Sequence, residues 1–279
     1  MLPIDPINSN VGGQFYTYVS GWELTAPLGT KRYRNAYSVQ DGGISAVSFE
    51  FGANLRLTPL SVKECGRDES LIGYWGFDET PSMKVYDYSG NNNTMLLFNN
   101  PTWLPTAKIG GGLYFNGIDQ YGIVSDSISI DTITKEVTLM AWIRPDTGTG
   151  YTRVVHKFAV DESQIPYELV QYTASQYVQA GVATEKGKVF QNTYVGSISP
   201  EQWYHVAFTY DGSNVQVYLN GQLIEGKKQK GTLLSNLEVL YFARRYSEYF
   251  QGAIDEVRLY NRTLSKAEIQ ALYIGTNRY

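Results

Sequence analysis

Apolar and polar residues alternate along much of this chain, and the clearest alternation lies in its last third. The segments Trp203-Tyr-His-Val-Ala-Phe-Thr-Tyr, Val215-Gln-Val-Tyr-Leu and Ala253-Ile-Asp-Glu-Val-Arg-Leu-Tyr each have the two-residue period of a half-buried strand. Asp211-Gly212 and Asn220-Gly221 follow the first two segments, and both dipeptides favour tight hairpin turns. Similar strands and turns recur back to about Leu71, which indicates an all-β antiparallel sandwich.

The chain closes on a different pattern. Ser265 is followed three residues later by Glu268, which together form a capping box, and Ile269 and Leu272 recur at helical spacing. A short helix is therefore predicted after the last strand.

Strand-like alternation is shorter in the first 65 residues. Residues 15–19 and 22–26 are predicted to pair as a hairpin, residues 31–37 to form a polar loop, and residues 47–51 to add a third strand. A sheet of this size has little core, and domains below roughly 70 residues usually need a neighbour or a covalent staple. We predict a small antiparallel β subdomain over residues 1–65 and a sandwich over residues 71–279.

Composition and charge exclude several classes of function. The net charge of −4 and the pI near 5.3 make nucleic acid a poor partner. The single cysteine, Cys65, excludes an internal disulfide and a cysteine-rich zinc site. Aromatic residues make up 14% of the chain and 23 residues are Tyr, whose amphipathic ring suits contact surfaces.

Several segments of the sandwich region occur in the order found in one known family. They are Trp75-Gly-Phe-Asp-Glu, Asp87-Tyr-Ser-Gly-Asn, Tyr114-Phe-Asn-Gly-Ile-Asp-Gln-Tyr and Leu139-Met-Ala-Trp-Ile-Arg-Pro, followed by the three strands described above. From about Leu71 to Tyr273 the chain resembles the laminin-G-like, concanavalin A-like jelly-roll domains. The resemblance implies a jelly-roll sandwich whose first and last strands lie side by side, and a role in recognising glycans or proteins.

A second resemblance covers the first 65 residues. Leu2-Pro-Ile-Asp-Pro, Tyr16-Thr-Tyr-Val-Ser-Gly-Trp and Asp41-Gly-Gly resemble the C-terminal part of a type IV pilin or a type II secretion pseudopilin. That resemblance implies that an apolar helix precedes residue 1 in a longer natural chain. The protein would contact a membrane only through that missing helix, and its partners would be other pilin subunits. The alternative interpretation is a hairpin appendage of the sandwich.

The sequence contains no recognisable catalytic constellation, so we expect no catalytic residues, no organic cofactor and no enzymatic activity. His156 and His205 are the only histidines and lack metal-ligand spacing. His205 alternates within its strand and is interpreted as structural. The Glu-x-Asp-x-x-Glu pattern, which supplies the paired carboxylates of sandwich-fold glucanases, is absent, and so is the Gly-x-Ser-x-Gly nucleophile motif.

Oxygen-rich turns make calcium the more plausible ligand, because Ca²⁺ takes six to eight oxygens from carboxylates and carbonyls. The family resemblance implies one structural calcium site, in which three carboxylates meet two turn carbonyls: Asp78, Ser89, Gly117, Asp119 and Asp255. The alternative is that Asp87 and Asn116 only cap their turns and that Asp255 pairs with Arg258 or Arg262.

A glycan or protein ligand would need an aromatic platform beside polar groups. Arg244, Arg245, Tyr246 and Tyr249 provide both within one short segment, and they are the candidate ligand-binding residues. The alternative is a solvated hairpin with ordinary surface tyrosines.

We predict an extracellular, non-catalytic adhesion or recognition protein of a bacterial surface. It would be a minor or specialised type IV pilin, or a pseudopilus subunit, whose lectin-like head binds glycan or a surface protein. Two alternatives stay open, namely a secreted carbohydrate-binding module of an enzyme and a structural spacer domain in a surface filament.

Overall fold

The computed structural model describes residues 68–147, 151–159 and 161–276, together with five strands in the preceding segment. The chain divides into two compact units, Met1–Asp68 and Glu69–Tyr279. No helix among the described residues has the length and apolar character needed to cross a membrane.

The first unit is described through its strands, which are β1 (Tyr16–Val19), β2 (Trp22–Ala26), β3 (Gly29–Tyr33), β4 (Ala36–Val39) and β5 (Arg56–Pro59). Strand β1 pairs with β4, and β2 lies between β3 and β5, all antiparallel. The predicted β1–β2 hairpin and the predicted loop over residues 31–37 are therefore wrong. Local alternation identifies a strand but not its partner, which is chosen by the rest of the sheet. The third predicted strand, residues 47–51, lies outside the described residues.

The second unit is built almost entirely of strands. Its strands are β6 (Leu71–Trp75), β7 (Lys84–Val85), β8 (Met95–Phe98), β9 (Thr102–Leu104), β10 (Gly112–Asn116), β11 (Tyr121–Val124), β12 (Val137–Pro145), β13 (Tyr151–Lys157), β14 (Tyr167–Tyr172), β15 (Tyr177–Thr184), β16 (Gly187–Asn192), β17 (Tyr204–Tyr210), β18 (Asn214–Leu219), β19 (Gln222–Lys228), β20 (Leu240–Phe242), β21 (Arg244–Arg245), β22 (Glu248–Tyr249) and β23 (Gln251–Tyr260). Two helices, α1 (Ile128–Asp131) and α2 (Lys266–Thr276), and a 3₁₀ turn (Glu162–Gln164) complete it.

Sixteen of these strands form two antiparallel sheets of eight strands each, and β21 and β22 pair separately as a two-stranded hairpin. The first sheet has the order β19-β18-β17-β12-β23-β10-β9, with β6 also paired to β23. The second sheet has the order β16-β15-β14-β13-β20-β11-β8-β7. The predicted all-β sandwich is confirmed, and its first and last strands, β6 and β23, lie side by side as the jelly-roll resemblance implied.

The hairpins of the first sheet follow from local turn chemistry. Gly212 has a φ of 81° between β17 and β18, and Asn220 and Gly221 have φ values of 50° and 74° between β18 and β19. Asn220 and Gly221 meet the requirement of a type I′ turn, which is positive φ at two successive residues. Gly212 supplies the positive φ of the three-residue loop between β17 and β18. The turns predicted from Asp-Gly and Asn-Gly are therefore confirmed.

The core lies between the two sheets and is made of the apolar side chains that alternate along the strands. Trp75 and Phe242 come from opposite sheets, are fully buried, and meet edge to face with ring centroids 5.1 Å apart. Trp142 is also buried, on the outer side of the first sheet beneath Tyr273 of α2. Trp203, which also lies in an alternating segment, is only half-buried, because it precedes β17 rather than belonging to it.

Helix α2 covers a second, smaller apolar cluster. Ser265 Oγ accepts a hydrogen bond from Glu268 N, and the Glu268 carboxylate accepts one from Ser265 N in return. This is the predicted capping box. Ile269 is fully buried against a cluster that includes Met140 and Tyr260 of the first sheet, so the helix closes the face of that sheet that lies away from the main core.

His205 gives the sandwich a specific acid sensitivity. Its ring is buried between Trp142 and Tyr273, with centroid distances of 5.4 and 5.9 Å. Burial, assisted by the positive charge of Arg258, lowers the pKa of His205 to about 3. In the unfolded chain the same ring has a pKa near 6.5, so between these values only the unfolded state binds the proton.

The free energy of unfolding should therefore fall as the pH drops below about 6.5, by up to about 1.4 kcal/mol per pH unit for this ring. Replacing His205→Phe keeps an aromatic ring and should flatten the slope between about pH 6 and pH 4. Urea unfolding at several pH values measures this. Identical slopes for the two proteins would show that His205 does not titrate differently in the folded state.

Candidate ligand-binding face

The outer face of the second sheet carries an array of aromatic side chains. Leu97, Phe242 and Val155 point into the core, so their strand neighbours Phe98, Tyr241 and His156 point the other way. Phe98 stacks on Tyr121 of the adjacent strand, with ring centroids 4.8 Å apart and planes 3° apart. Tyr241 stacks on His156 at 5.6 Å, and Tyr121 lies 6.1 Å from Tyr241.

A short hairpin formed by β21 and β22 folds against this array. Ala243 N donates to Val154 O of β13, and Phe250 N donates back to Ala243 O, so both ends of the hairpin are held at the sheet. Ala243 and Tyr246 adopt positive φ values of 61° and 48°, which turn the chain sharply before and within the hairpin. The hairpin thereby brings Arg244 and Tyr249 to the aromatic residues.

Arg244 is the centre of the resulting group. Its guanidinium carbon lies 4.3 Å from the ring centroid of Tyr121, 5.5 Å from that of Tyr241 and 5.6 Å from that of Tyr249. Its Nε donates to the carbonyl oxygen of Tyr246. These four side chains, Arg244, Tyr121, Tyr241 and Tyr249, are called the tyrosine–arginine cluster below. All four are half-buried, so each keeps part of its surface in contact with solvent.

A buried ion network supports the cluster from one side. Glu168 is fully buried, accepts a hydrogen bond from Arg153 Nε at 3.1 Å and forms an ion pair with Lys188 Nζ at 2.7 Å. Arg153 also pairs with Glu248 of the hairpin at 2.9 Å, and Glu248 lies 3.6 Å from Arg245. Three cations thus share two carboxylates, and the network joins the hairpin to the sheet.

His156 lies buried between the network and the cluster. Neither ring nitrogen has a hydrogen-bond partner among the described residues. Burial holds the pKa of His156 well below its usual value, and the positive charges of Arg153, Arg245 and Lys188 act in the same direction. His156 is therefore neutral at pH 7 and serves as an aromatic support for Tyr241.

The structure separates the four predicted ligand residues into two groups. Arg244, Tyr246 and Tyr249 have accessible surface, and Tyr246 is 45% exposed. Arg245 is only 2% exposed and pairs with Glu248, so it belongs to the ion network and cannot be a contact residue. Sequence reasoning missed Tyr121 and Tyr241, because only strand register places them beside Arg244.

A separate cleft of about 730 Å³ lies near the 3₁₀ turn, away from the tyrosine–arginine cluster. Its polar lining includes Asp161, Glu185, Glu238 and Lys188, and it contains no aromatic side chain. We place the candidate site at the cluster rather than in this cleft, because ligand sites combine apolar or aromatic surface with a few directed polar groups.

Two of the predicted calcium ligands meet at one loop. Asp78 Oδ1 accepts from Gly111 N at 2.7 Å, and Asp255 Oδ2 accepts from Ile109 N at 2.8 Å. Asp255 Oδ1 is buried and has no hydrogen-bond partner among the described residues. Burial, together with the charges of Glu256 and Asp78, raises the pKa of Asp255 to about 8.

The remaining predicted ligands lie elsewhere. Asp119 and Gly117 occupy the β10–β11 turn, where the Asp119 carboxylate accepts from Asn116 Nδ2. Asn116 is four residues along β10 from Gly112, the neighbour of Asp255, and this distance is roughly 13 Å in a strand. Ser89 Oγ donates to Ile72 O. The structure therefore does not bring the five residues to one point, and the described part of the chain contains no cluster of three metal-binding side chains.

The alternative to a calcium site was that Asp87 and Asn116 cap their turns and that Asp255 pairs with an arginine. The structure shows the first of these roles and not the second. Asp87 accepts from the backbone amides of Tyr74, Ser89 and Asn93, and Asn116 Oδ1 accepts from Ile118 N, so both residues cap their turns. Asp255 does not take up the expected arginine partners, since Arg258 pairs with Glu256 and Arg262 with Glu268.

A family model described as the concanavalin A-like lectin/glucanases superfamily matches residues 115–270, which is more than half of the chain. The chain belongs to this superfamily. No curated protein gives a significant sequence match.

Solved structures share the fold. The binding domain of Paraclostridial mosquitocidal protein 1 has a TM-score of 0.61 at 17% identity, covering 74% of this chain and 52% of that chain. A structure of botulinum neurotoxin type C has a TM-score of 0.60 at 16% identity, with coverage of 76% and 52%. This chain thus spans about half the length of either toxin chain. Domain 4 of AbnA, an extracellular arabinanase from Geobacillus stearothermophilus, has a TM-score of 0.58 at 18% identity, with coverage of 73% and 98%.

Proposed function

We propose that the second unit is a non-catalytic recognition domain that binds glycan at the tyrosine–arginine cluster. The observation that carries this proposal is the convergence of three half-exposed tyrosine rings on Arg244 from separate strands and a hairpin. Tyrosine rings offer flat apolar surface to the C–H faces of a sugar, and the guanidinium group offers several fixed N–H donors to its hydroxyl oxygens. A surface protein is the second class of ligand that this face suits.

The carboxylates beside the cluster support a non-catalytic role. A glycosidase needs one carboxylic acid to protonate the leaving oxygen and a second carboxylate to act as base or nucleophile. Glu168 is fully buried between Arg153 and Lys188, and Glu248 pairs with Arg153 and Arg245. Both carboxylates thus neutralise cations, and Glu168 has no surface with which to meet a substrate.

Two structural relatives support carbohydrate as the ligand class. Domain 4 of AbnA was solved in complex with arabinotriose, and cell entry of botulinum neurotoxin type C depends on interaction with two ganglioside molecules. These ligands were found for those proteins. At sequence identities below 20% the shared fold does not identify the binding residues of this chain, which are therefore argued from its own structure.

For the biological setting, we propose an extracellular head displayed on a bacterial surface, with the first unit acting as a pilin-like or pseudopilin-like assembly part. The support is the sequence resemblance of residues 1–65, and the expected partners are other pilin subunits. A secreted carbohydrate-binding module is the second candidate, favoured by the match to 98% of a domain from an extracellular enzyme. Sequencing the gene upstream of residue 1 distinguishes the two candidates. A segment encoding an apolar pilin helix would support the first, and an adjoining glycosidase domain would support the second.

Binding should depend on Arg244 and Tyr249. We expect Arg244→Gln and Tyr249→Ala each to weaken binding of a glycan selected on an array by about tenfold or more, since about 1.4 kcal/mol corresponds to a factor of ten. Isothermal titration of the full chain measures the affinity. Tyr194→Ala is the matched control, because Tyr194 is 62% exposed on a different loop. If the unaltered protein and the three variants bound the glycan with equal affinity, the ligand could not bind at the tyrosine–arginine cluster.

We further propose a structural Ca²⁺ ion held by Asp78 and Asp255. The unpartnered, buried Oδ1 of Asp255 fits this role, because a carboxylate in such surroundings needs either a proton or a cation. Asp78 Oδ2 also lies near the Glu256 carboxylate, since Asp78 Oδ2 and Glu256 Oε1 are each 3.5 Å from the position that a Cβ would take on Gly76. When bound, the ion would neutralise these carboxylates and tie β23 to the segment after β6.

Removing the ion should destabilise the sandwich. We expect excess EDTA to lower the melting temperature by several degrees and calcium to restore it, since a ligand at about 100 times its Kd contributes about 2.7 kcal/mol. Asp255→Asn should abolish the response. Asp119→Asn is the control and should keep it, because Asp119 lies in the β10–β11 turn. A melting temperature unchanged by EDTA would exclude a structural ion at Asp78 and Asp255.

A further inference from the structure

A lysine occupies a core-facing position at one end of the second sheet. Lys157 is the last residue of β13, two positions after Val155, whose side chain lies in the core. Its register partner Leu240 is buried and pairs on its other side with Val124, the last residue of β11. The Lys157 side chain is only 3% exposed, which is unusual for a residue that normally stays in solvent.

The Lys157 ammonium meets the carboxylate of Asp126. Asp126 lies two residues beyond Val124, and its side chain is 19% exposed. Lys157 Nζ contacts Asp126 Oδ1 and the carbonyl oxygen of Glu238. The pair therefore reaches from the end of β13 to the end of β11, with β20 between them.

A second carboxyl group and a phenol complete this buried site. Tyr167, on the strand beside β13, has a hydroxyl without a hydrogen-bond partner among the described residues, and so has Asp131 Oδ1. Tyr167 precedes Glu168, the register partner of His156, so it lies opposite Lys157 and faces the core as Lys157 does. Burial raises the pKa of Tyr167, and the charges of Asp126 and Asp131 act in the same direction. A lysine amine and a carboxyl group are thus in contact at this end of the sheet, and a buried phenol lies opposite the lysine.

We propose that Lys157 and Asp126 form an intramolecular amide bond, which cross-links β13 to the segment after β11 once the sandwich has folded. Holding an ammonium and a carboxylate in the interior is costly, and an amide carries no charge, so forming the bond removes this cost. A neutral lysine amine is a nucleophile, and its fixed position beside the acid replaces an encounter in solution.

The reaction needs no oxidant and no added reactant. Lys157 Nζ adds to the Asp126 carboxyl carbon, forming the N–C bond and a tetrahedral intermediate. One proton then passes from the nitrogen to a hydroxyl group of the intermediate, with Asp131 and Tyr167 as the proton relay. The C–O bond breaks, one water molecule leaves, and a neutral amide replaces two buried charges.

Intact-mass spectrometry of the denatured full chain tests the proposal. We expect a mass lower than that of the sequence by one water molecule, and a branched peptide joining Lys157 to Asp126 after proteolysis. Lys157→Arg should restore the mass of its own sequence, because it keeps the ion pair but its guanidinium is not a nucleophile. Asp126→Asn should lose ammonia instead of water and reach the same final mass as the unaltered protein.

Two results would overturn the proposal. The first is a mass equal to that of the sequence, which would leave Lys157 and Asp126 as an ordinary buried ion pair. The second is loss of water on a linear peptide, such as one containing Asp211-Gly212, which can cyclise to a succinimide. Asp131→Asn tests the relay and should leave part or all of the protein uncross-linked.

Discussion

Replacing Trp75→Ala is expected to lower the free energy of unfolding of the sandwich by about 3–5 kcal/mol, the range for deleting a fully buried tryptophan. Trp75 has no exposed surface and meets Phe242 of the opposite sheet. Its Nε1 donates to Asn93 O at 2.8 Å, so truncation also leaves a buried carbonyl unsatisfied. Gly73 lies directly against the Trp75 ring, since a Cβ there would be 2.2 Å from it, and glycine has no side chain with which to fill the cavity.

Urea unfolding followed by circular dichroism measures this loss. Trp203→Ala is the control, because Trp203 is half-buried just before β17 and its replacement should cost about 1 kcal/mol or less. If the two variants lost equal stability, Trp75 could not be the principal bridge between the sheets.

The second large effect is expected at Glu168. Its carboxylate is fully buried between Arg153 and Lys188, so Glu168→Ala leaves two poorly solvated cations without their anion. Removing one partner of such a group typically destabilises by about 3–5 kcal/mol. Because Arg153 also holds Glu248, the variant should loosen the β21–β22 hairpin and weaken ligand binding together with stability.

Two further variants separate the charge of Glu168 from its shape. Glu168→Gln keeps the volume and hydrogen-bonding capacity and should be intermediate, whereas Glu225→Ala removes an exposed carboxylate from β19 and should have little effect. A Glu168→Ala protein as stable as the Glu225→Ala protein would mean that the cations find other partners or water.

Much of the sandwich could be predicted because its signals are local. The Asp211-Gly212 and Asn220-Gly221 turns depend on residues that accept positive φ, and the capping box depends on two side chains three residues apart. Strand alternation identified the buried face around Trp75 for the same reason. These features depend only on residues that are close in sequence, so they can be derived without knowledge of the fold.

Pairing in the first unit and the candidate sites could not be derived in this way. Strand β1 pairs with β4 rather than with β2, although the β1 and β2 segments read as a local hairpin. Arg244 and Tyr249 were recognised from their composition, but Tyr121 and Tyr241 reach them only through the order β20-β11 in the sheet. The predicted grouping of Asp119 with Asp255 failed because the length of β10 separates them.

The chain alone was sufficient to indicate an all-β sandwich, its turns, its closing helix and a hairpin rich in arginine and tyrosine. Each of these follows from hydrophobic period, backbone preference or composition, which are properties of short segments. The tertiary structure decided which tyrosines surround Arg244, why Arg245 is buried with Glu248, and why Lys157 meets Asp126 in the interior. Those contacts join residues far apart in sequence, and they arise only from strand order and register, which the packing of both sheets selects together.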